Sequence, residues 1–351
     1  MESVHEITLP EKVIIGEDAI KSIPKIIQTS LGKVSKAVII TGENTYRAGG
    51  FLVETVLKDI ADIFVVKVPD AYISTANLVV EKLKDKSVDV ILGVGGGKSI
   101  DVAKYVSYKL GPPFISIPLA PSHDGIASPF ASLKGTDKPY SIYTKVPYAI
   151  VADTKVLAEA PRRLVLSGVG DLLGKLVSVR DWKLAHRLRG EYYGEYAAQL
   201  ALLSAKHVIR YHELIASKTV EGVRILAEAL ISSGISMCIA GSSRPASGSE
   251  HLFAHALELV APGKALHGEA VAIGTVIMLY IYGDESWKKI RHIMRKIGMP
   301  TTAAELGLTP EDLVKALTIA HTIRPERYTI LGEKGLSREA AVKVLKETGI
   351  V

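Results

Sequence analysis

The 351-residue sequence is poor in cysteine and in aromatic residues. Its one cysteine, Cys238, cannot form an internal disulfide, and the apolar surroundings SSGISMCIAG predict a small core residue. Aromatic residues make up 6% of the chain, against 48% hydrophobic and 23% charged residues. This composition excludes a disulfide scaffold and a disordered chain, and it is typical of an ordinary globular protein with a sizeable core.

Long apolar stretches are missing as well. The longest apolar run, Ala270 to Tyr282, is well short of the ~20 residues that cross a bilayer, so we expect a buried helix and no integral membrane segment. The N-terminal residues MESVHEITLPEKV have neither a basic start nor an apolar stretch, so we expect no signal peptide. Together with the single cysteine, these features predict a cytoplasmic protein.

The basic residues are not gathered in blocks. A formal net charge of +6 would suit an anionic ligand, but lysine and arginine are scattered among acidic residues. The sequence has no zinc-finger spacing and no basic segments interleaved with aromatic residues. We therefore predict that the protein does not bind nucleic acid.

The first part of the chain has the pattern of an α/β domain. Short β-branched runs alternate with amphipathic stretches in the order KAVIITG, FLVETVLKDI, DIFVVKVP, STANLVVEKLKDK, VDVILGVGGG, KSIDVAKYVSYKL and FISIPLA. Strands that alternate with helices imply a parallel sheet. Because the chain is longer than one hydrophobic core usually supports, we predict two domains, the first over residues 1–155.

The second part has a helical pattern. Segments such as Gln199 to Tyr211 and Ser217 to Ile231 carry apolar residues at helical spacing without intervening strands. We predict an all-α domain over residues 156–351, with a ligand crevice between the two domains, since the carboxyl ends of parallel strands and domain interfaces form pockets.

A glycine-rich loop follows one of the predicted strands. The segment VDVILGVGGGKSIDVAK predicts a strand, a tight turn and a helix that begins at about Ser99. Because Gly95–Gly97 lack side chains, a pyrophosphate can approach the main chain and the positive end of the helix. Leu92 excludes a P-loop, and Lys98 breaks the usual dinucleotide fingerprint that would begin at Gly93. The alternative is a turn without a ligand, but three glycines cost backbone entropy with no evident packing use.

Histidines cluster in the stretch SGSEHLFAHALELVAPGKALHGEAVAIG. His251 and His255 stand four residues apart on one helix face, and His267 begins the next apolar segment. Asp171, an acid in a small and apolar segment, is a candidate carboxylate ligand. Two imidazoles and a carboxylate are typical of a catalytic zinc site, and nickel or iron also fits this ligand type. The alternative is a set of hydrogen-bonded core histidines, but their clustering favours a metal.

Five motifs carry a resemblance to a known superfamily. They are GVGGGKSIDVAK at 93–104, LAPSHDGIASPFASL at 119–133, SGVGDLLGK at 167–175, SEHLFAHALE at 249–258 and ALHGEAVAIG at 265–274. Over nearly its whole length the chain resembles the glycerol dehydrogenases, iron-type alcohol dehydrogenases and dehydroquinate synthases. The second motif is most similar to the archaeal sn-glycerol-1-phosphate dehydrogenases.

The resemblance implies a dinucleotide-binding N-terminal domain and a helical C-terminal domain, in the manner of dehydroquinate synthase. It implies that Asp171, His251 and His267 bind zinc, and that Asp124 and His255 act on the substrate. It also implies a nicotinamide coenzyme, NAD(H) or NADP(H), bound by Gly42, Glu43, Gly95, Gly96, Gly97, Lys98, Ser99, Asp101, Ser122 and Ser128.

The expected reaction is the metal-assisted, NAD(P)H-dependent reduction of dihydroxyacetone phosphate to sn-glycerol 1-phosphate for ether phospholipids. Gly42 stands where an aspartate usually meets the adenosine ribose, so we expect both coenzymes to be used. Arg244 is a candidate for the substrate phosphate. The alternatives are a glycerol dehydrogenase, a dehydroquinate synthase, and a non-redox metal-dependent or nucleotide-binding protein. The family tendency also predicts a homo-oligomer.

Overall fold

The computed structural model describes residues 4–135 and 140–351, so the first three residues of the N-terminal segment lie outside the described part. The strands are β1 (Lys12–Gly16), β2 (Lys36–Thr41), β3 (Asp62–Lys67), β4 (Val90–Gly95), β5 (Phe114–Pro118), β6 (Phe130–Leu133), β7 (Tyr140–Tyr143) and β8 (Ala149–Asp153).

Helices alternate with these strands and then follow one another. The α-helices are α1 (Ile23–Ile26), α2 (Glu43–Thr45), α3 (Phe51–Leu57), α4 (Ile73–Leu83), α5 (Gly97–Leu110), α6 (Thr154–Glu159), α7 (Arg162–Leu173), α8 (Lys175–Arg189), α9 (Glu195–Ala216), α10 (Val220–Ala240), α11 (Ser249–Val260), α12 (His267–Ile281), α13 (Ser286–Lys296), α14 (Pro310–Ile319) and α15 (Arg338–Glu347). Residues 154–351 thus form helices and no strands.

Six strands form one parallel sheet in the order β1-β8-β5-β4-β2-β3. From β2 the chain moves outward to β3, whereas from β4 it moves the other way to β5. The carboxyl ends of β2 and β4 therefore flank the point where the strand order reverses, which is where open parallel sheets bind ligands. This arrangement, with the helical second part, confirms the fold class expected from the sequence.

Both faces of the sheet are covered, as the β-branched composition of its strands requires. Ile39 packs with Ile23 and Val53 on one face, and the next residue, Ile40, packs with Val102 on the other. The group of buried residues that contains Ile40 and Val102 continues into the helical part and includes Phe253. The sheet and the helices therefore share a core. The boundary between residues 155 and 156 stays a prediction.

Helix α10 is the one described helix that is long and apolar enough to cross a membrane. Of the 18 most apolar consecutive residues of this helix, 72% are buried inside the protein, as in the core helix of a globular fold. The apolar run from Ala270 to Tyr282 ends one residue beyond α12, and its residues up to Leu279 are likewise buried.

The sequence patterns missed strands β1, β6, β7 and β8. Strand β1 is a short edge strand that pairs with β8, far away in the sequence, so no local alternation marks it. The antiparallel hairpin of β6 and β7 lies beyond the sheet, within and after the motif at 119–133. Helix α5 also begins at Gly97, two residues earlier than expected.

Candidate active site

A cavity of about 1060 Å³ opens at the carboxyl ends of β2 and β4. The sheet contributes residues after β2, the glycine loop after β4 and the segment after β5, while α7, α11 and α12 supply the opposite wall. The expected crevice between the α/β and helical parts is therefore present. It is large enough to hold a coenzyme and a small substrate.

The glycine loop forms one wall of this cavity. Gly95 has a φ of 147°, which side-chain-bearing residues rarely adopt. A Cβ atom on Gly97 would lie 1.9 Å from Nε2 of His123, so a side chain there would displace the His123 ring, whereas one on Gly96 would meet no atom within 4 Å. The open side of Gly96, at the start of α5, leaves the main chain accessible to an anion.

The proposed metal ligands meet at the wall formed by the helices. Asp171 on α7, His251 on α11 and His267 at the start of α12 offer ligand atoms that all lie within 4.8 Å of one another. Oδ1 of Asp171 lies 3.4 Å from Nε2 of His251 and 3.6 Å from Nε2 of His267. This oxygen is buried and has no hydrogen-bond partner. A buried orphan oxygen facing two imidazole nitrogens fits a divalent cation, because a shared ion satisfies all three groups.

The pKa shifts of Asp171 and His267 suit cation binding. Burial raises the pKa of Asp171, but Lys175 and the two histidines lower it well below its usual range, so the carboxylate is ionised at neutral pH. Burial lowers the pKa of His267, which leaves its imidazole neutral, as a metal ligand must be.

Glu250 orients the first histidine of the cluster. Its Oε1 lies 2.7 Å from Nδ1 of His251 and accepts a hydrogen bond from the amide of Gly248. An imidazole that donates its Nδ1 proton to a carboxylate presents Nε2 to a metal. Sequence reasoning did not single out Glu250, although it directly precedes His251 in SEHLFAHALE.

Lys175 joins Asp171 to a second carboxylate. Its side chain is fully buried, and Nζ lies 2.8 Å from Oδ2 of Asp124 and 3.4 Å from Oδ2 of Asp171. Asp124 also accepts a hydrogen bond of 2.7 Å from Ser233, and its backbone amide donates to Asp171. Asp124 and the metal ligand thus belong to one hydrogen-bonded network. Lys175 was not predicted from the sequence, although its i+4 spacing from Asp171 was visible.

His255 lines the cavity next to the cluster. Its ring centroid lies 5.8 Å from that of His267 and 6.4 Å from that of His251. Burial, then the charges of His267, His251, Arg324 and Arg327, lower the pKa of His255 well below its usual value. The imidazole is therefore neutral at pH 7.

Arg244 does not lie where the sequence prediction required. Its guanidinium is buried and pairs with Glu191, with a distance of 2.6 Å from Nε to Oε1, and donates to the carbonyl of Tyr328. The ion pair with Glu191 occupies the planar fork that was expected to hold a phosphate.

An acid and two cations lie at the end of β2. Glu43 pairs with Lys67 at 3.0 Å and with Arg47 at 3.2 Å, and Lys67 also stacks on the ring of Tyr46. Lys67, then Arg47, hold the pKa of Glu43 below its usual value. Gly42, Glu43 and Lys67 all line the cavity.

The structure brings together nearly all of the residues singled out from the sequence. Those that line the cavity are Gly42, Glu43, Gly96, Gly97, Lys98, Ser99, Asp101, Ser122, Asp124, Ser128, His251, His255 and His267. Gly95 ends β4 at the base of the loop, and Asp171 is buried against the two histidines.

Comparison with known proteins agrees with this architecture. Residues 14–161 match the family described as iron-containing alcohol dehydrogenase. The fold is shared with the glycerol dehydrogenase of Schizosaccharomyces pombe, at a TM-score of 0.81 and 22% identity over 98% of this chain and 90% of that one. A probable glycerol dehydrogenase from Sinorhizobium meliloti gives 0.79 and 21%, over 98% of each chain. The chain therefore has the fold of the glycerol dehydrogenases, and its first part matches the iron-containing alcohol dehydrogenases.

Relatives of higher sequence identity show the family to which the chain belongs. The chain is 65% identical to the glycerol-1-phosphate dehydrogenase (NAD(P)+) of Staphylothermus marinus, over 99% of both chains. It is 53% identical to that of Hyperthermus butylicus, again over 99% of both chains. The chain belongs to the glycerol-1-phosphate dehydrogenase family, which confirms the resemblance identified from the sequence motifs.

Proposed function

We propose that the protein reduces dihydroxyacetone phosphate to sn-glycerol 1-phosphate with NADH or NADPH, and thereby supplies the backbone of ether phospholipids. The observation that carries the proposal is one cavity that contains both a glycine loop suited to a pyrophosphate and an Asp-His-His cluster suited to a cation. The full-length relatives that bear this activity in their names support it.

The metal and the coenzyme have different roles in the proposed reaction. A divalent cation on Asp171, His251 and His267 supplies Lewis-acid polarisation of a carbonyl, and the nicotinamide coenzyme supplies a hydride. Zinc suits the two imidazoles and one carboxylate, and nickel or iron is also compatible with them. We propose that the amides of the glycine loop bind the pyrophosphate, with Lys98, Ser99 and Asp101 beside it, and that Ser122 and Ser128 bound the nicotinamide end.

Asp124 and His255 are the residues that we propose to contact the substrate. The recorded hydrogen bonds of the Asp124 side chain, to Lys175 and Ser233, engage Oδ2, which leaves Oδ1 to accept from a substrate hydroxyl. Neutral His255 carries one N–H and donates it to a substrate oxygen. Both side chains therefore orient the substrate against the metal cluster.

The first experiment measures oxidation of NADH by dihydroxyacetone phosphate, before and after treatment with a chelator. We expect activity that chelation abolishes and added Zn²⁺ restores, and a product with the configuration of sn-glycerol 1-phosphate. Unphosphorylated dihydroxyacetone with NADH, and glycerol with NAD⁺, serve as the comparison reactions. Equal turnover of the unphosphorylated compounds would favour a glycerol dehydrogenase, and no change in NADH concentration in any of these reactions would favour a non-redox protein.

Coenzyme choice provides a separate prediction. Glu43 can accept hydrogen bonds from the ribose hydroxyls of NADH. Lys67 and Arg47 neutralise the charge of Glu43 and can bind the 2′-phosphate of NADPH. We expect kcat/KM for the two coenzymes to agree within about tenfold, or ~1.4 kcal/mol. Lys67→Gln should impair NADPH more than NADH.

The matched control is Lys58→Gln, at an exposed lysine outside the cavity lining. It should leave the ratio of the two coenzymes unchanged. A preference of the unmodified enzyme for NADH of about a thousandfold, or ~4 kcal/mol, would contradict the prediction.

Two further features of this function stay predictions. The family is one of metabolic enzymes that act on small molecules, and we propose that this member works in the cytoplasm, in agreement with its single buried cysteine. We also propose that it assembles as a homo-oligomer of two-domain subunits.

A further inference from the structure

Two arginines in the segment between α14 and α15 lie behind the substrate side of the cavity. Arg327 donates a hydrogen bond of 2.7 Å to Oγ of Ser243 and one of 2.5 Å to the carbonyl oxygen of Ser247. Both serines line the cavity. The guanidinium of Arg327 is thus bound directly to the cavity wall.

Neither arginine has a carboxylate partner in the part of the chain that the structure describes. No ion pair is formed by Arg327 or Arg324 within residues 4–135 and 140–351, and the Arg324 side chain makes no hydrogen bond there. Arg244, the third arginine of the group, is paired with Glu191. The group therefore holds cations in excess of its acids.

This excess charge is not solvated as on an open surface. Burial, together with the charges of Arg324 and Arg244, lowers the pKa of Arg327 to about 9, and burial also lowers that of Arg324. A desolvated guanidinium without an anion is unfavourable, and the binding of an anion removes that penalty. The planar forks of two arginines match the oxygens of a phosphate.

The position of the group indicates which anion it binds. The charges of Arg324 and Arg327 act on His255, which stands on α11 beside the metal cluster. The glycine loop, the site proposed for the coenzyme pyrophosphate, belongs to the opposite wall after β4. Arg324 and Arg327 are not themselves among the residues that line the cavity, so an anion would meet them at the part of the wall that Ser243 and Ser247 form, on the side of α11 rather than of the glycine loop.

We propose that Arg324 and Arg327, with the hydroxyl of Ser243, bind the phosphate of a phosphorylated ketone substrate. This inference rests on the proposed function, and it assigns the phosphate recognition that Arg244 does not supply. Arg244 and Glu191 hold the neighbouring chain in place by their ion pair. The substrate class is then a small carbonyl compound that carries a phosphate monoester.

The test compares Arg324→Gln and Arg327→Gln with the unmodified enzyme on dihydroxyacetone phosphate and on unphosphorylated dihydroxyacetone. We expect each variant to lose roughly ten- to a hundredfold in kcat/KM on the phosphorylated substrate, as for a lost hydrogen bond between charged groups. On the unphosphorylated ketone we expect less than a threefold change, roughly the scatter of a surface substitution. Arg187→Gln, at an exposed arginine of α8, is the matched control and should change neither value.

A second measurement separates this inference from the proposed function. Inorganic phosphate is titrated calorimetrically into the enzyme saturated with NAD⁺, so that the coenzyme occupies the glycine loop. We expect binding to the unmodified enzyme and to Arg187→Gln, and at least tenfold weaker binding to Arg324→Gln, by ~1.4 kcal/mol. This result stands whether or not dihydroxyacetone phosphate is reduced.

Two outcomes would overturn the inference. One is an equal loss of kcat/KM on both ketones in the arginine variants, and the other is unchanged phosphate binding by Arg324→Gln. Within the described residues, the Arg324 side chain makes no hydrogen bond that its replacement would remove. Arg324→Gln therefore tests the inference even if Arg327→Gln lowers the melting temperature.

Discussion

Replacing Asp171 with asparagine is expected to remove the bound metal and to lower kcat/KM by on the order of a thousandfold. The reason is that the orphan Oδ1 of Asp171 is the only anionic atom that faces both His251 and His267 within the cluster. A Lewis acid contributes several kcal/mol to stabilising the developing charge, and about 1.4 kcal/mol corresponds to a factor of ten in rate. Metal content per chain and steady-state kinetics on dihydroxyacetone phosphate measure the effect.

Asparagine preserves the size of the side chain, so packing around α7 should change little. The matched control is Asp59→Asn, at an exposed aspartate after α3, which should keep the metal and full activity. Retention of stoichiometric metal by Asp171→Asn, with kcat/KM within about tenfold of normal, or ~1.4 kcal/mol, would remove Asp171 from the ligand set.

The replacement Lys175→Met is expected to lower the free energy of unfolding by about 3–5 kcal/mol, because it leaves buried carboxylates without their cation. Burial by itself lowers the pKa of Lys175, but Asp124 and Asp171 raise it above its usual value, so the lysine is charged in the folded protein. Its Nζ also donates to the carbonyl of Ala246. Denaturant unfolding at pH 7 in excess chelator measures this effect apart from any loss of metal.

Lys206→Met is the comparison, since Lys206 is an exposed lysine on α9. Its replacement should change the stability by no more than about 0.5 kcal/mol. If the two variants unfold at the same denaturant concentration, Lys175 does not hold the two carboxylates together in the way that the distances indicate.

The histidine cluster and the glycine loop were predictable because each has a short-range signal. Three glycines after a β-branched run indicate a turn that exposes main-chain amides, and the turn is present after β4. His251 and His267 belong to consecutive helices, so one turn of the chain between α11 and α12 is enough to bring the two histidines into the same pocket. The glycines and the two histidines are each close together in the sequence, whereas Asp171 lies far from them on α7 and was a candidate as an acid in an apolar segment and through the resemblance.

The phosphate prediction on Arg244 failed to match the geometry for the opposite reason. Arg244 precedes the metal-binding helix in the sequence, but its fork is taken by Glu191 from the segment between α8 and α9. Arg327, more than 80 residues further along, reaches the wall that includes Ser243. No local pattern distinguishes a paired arginine from an unpaired one, because the distinction depends on which distant acids the fold brings near.

Composition, the strand and helix periodicities and the five motifs by themselves determined the α/β-plus-helical architecture, the glycine loop and the family. These properties depend on spacing along the chain, which the sequence contains directly. Only the tertiary structure decided that Lys175 connects Asp124 to Asp171, that Glu250 orients His251, and which arginines are left without an acid. Burial and pairing of charges arise between segments far apart in the chain, so they exist only once the helices have packed against the sheet.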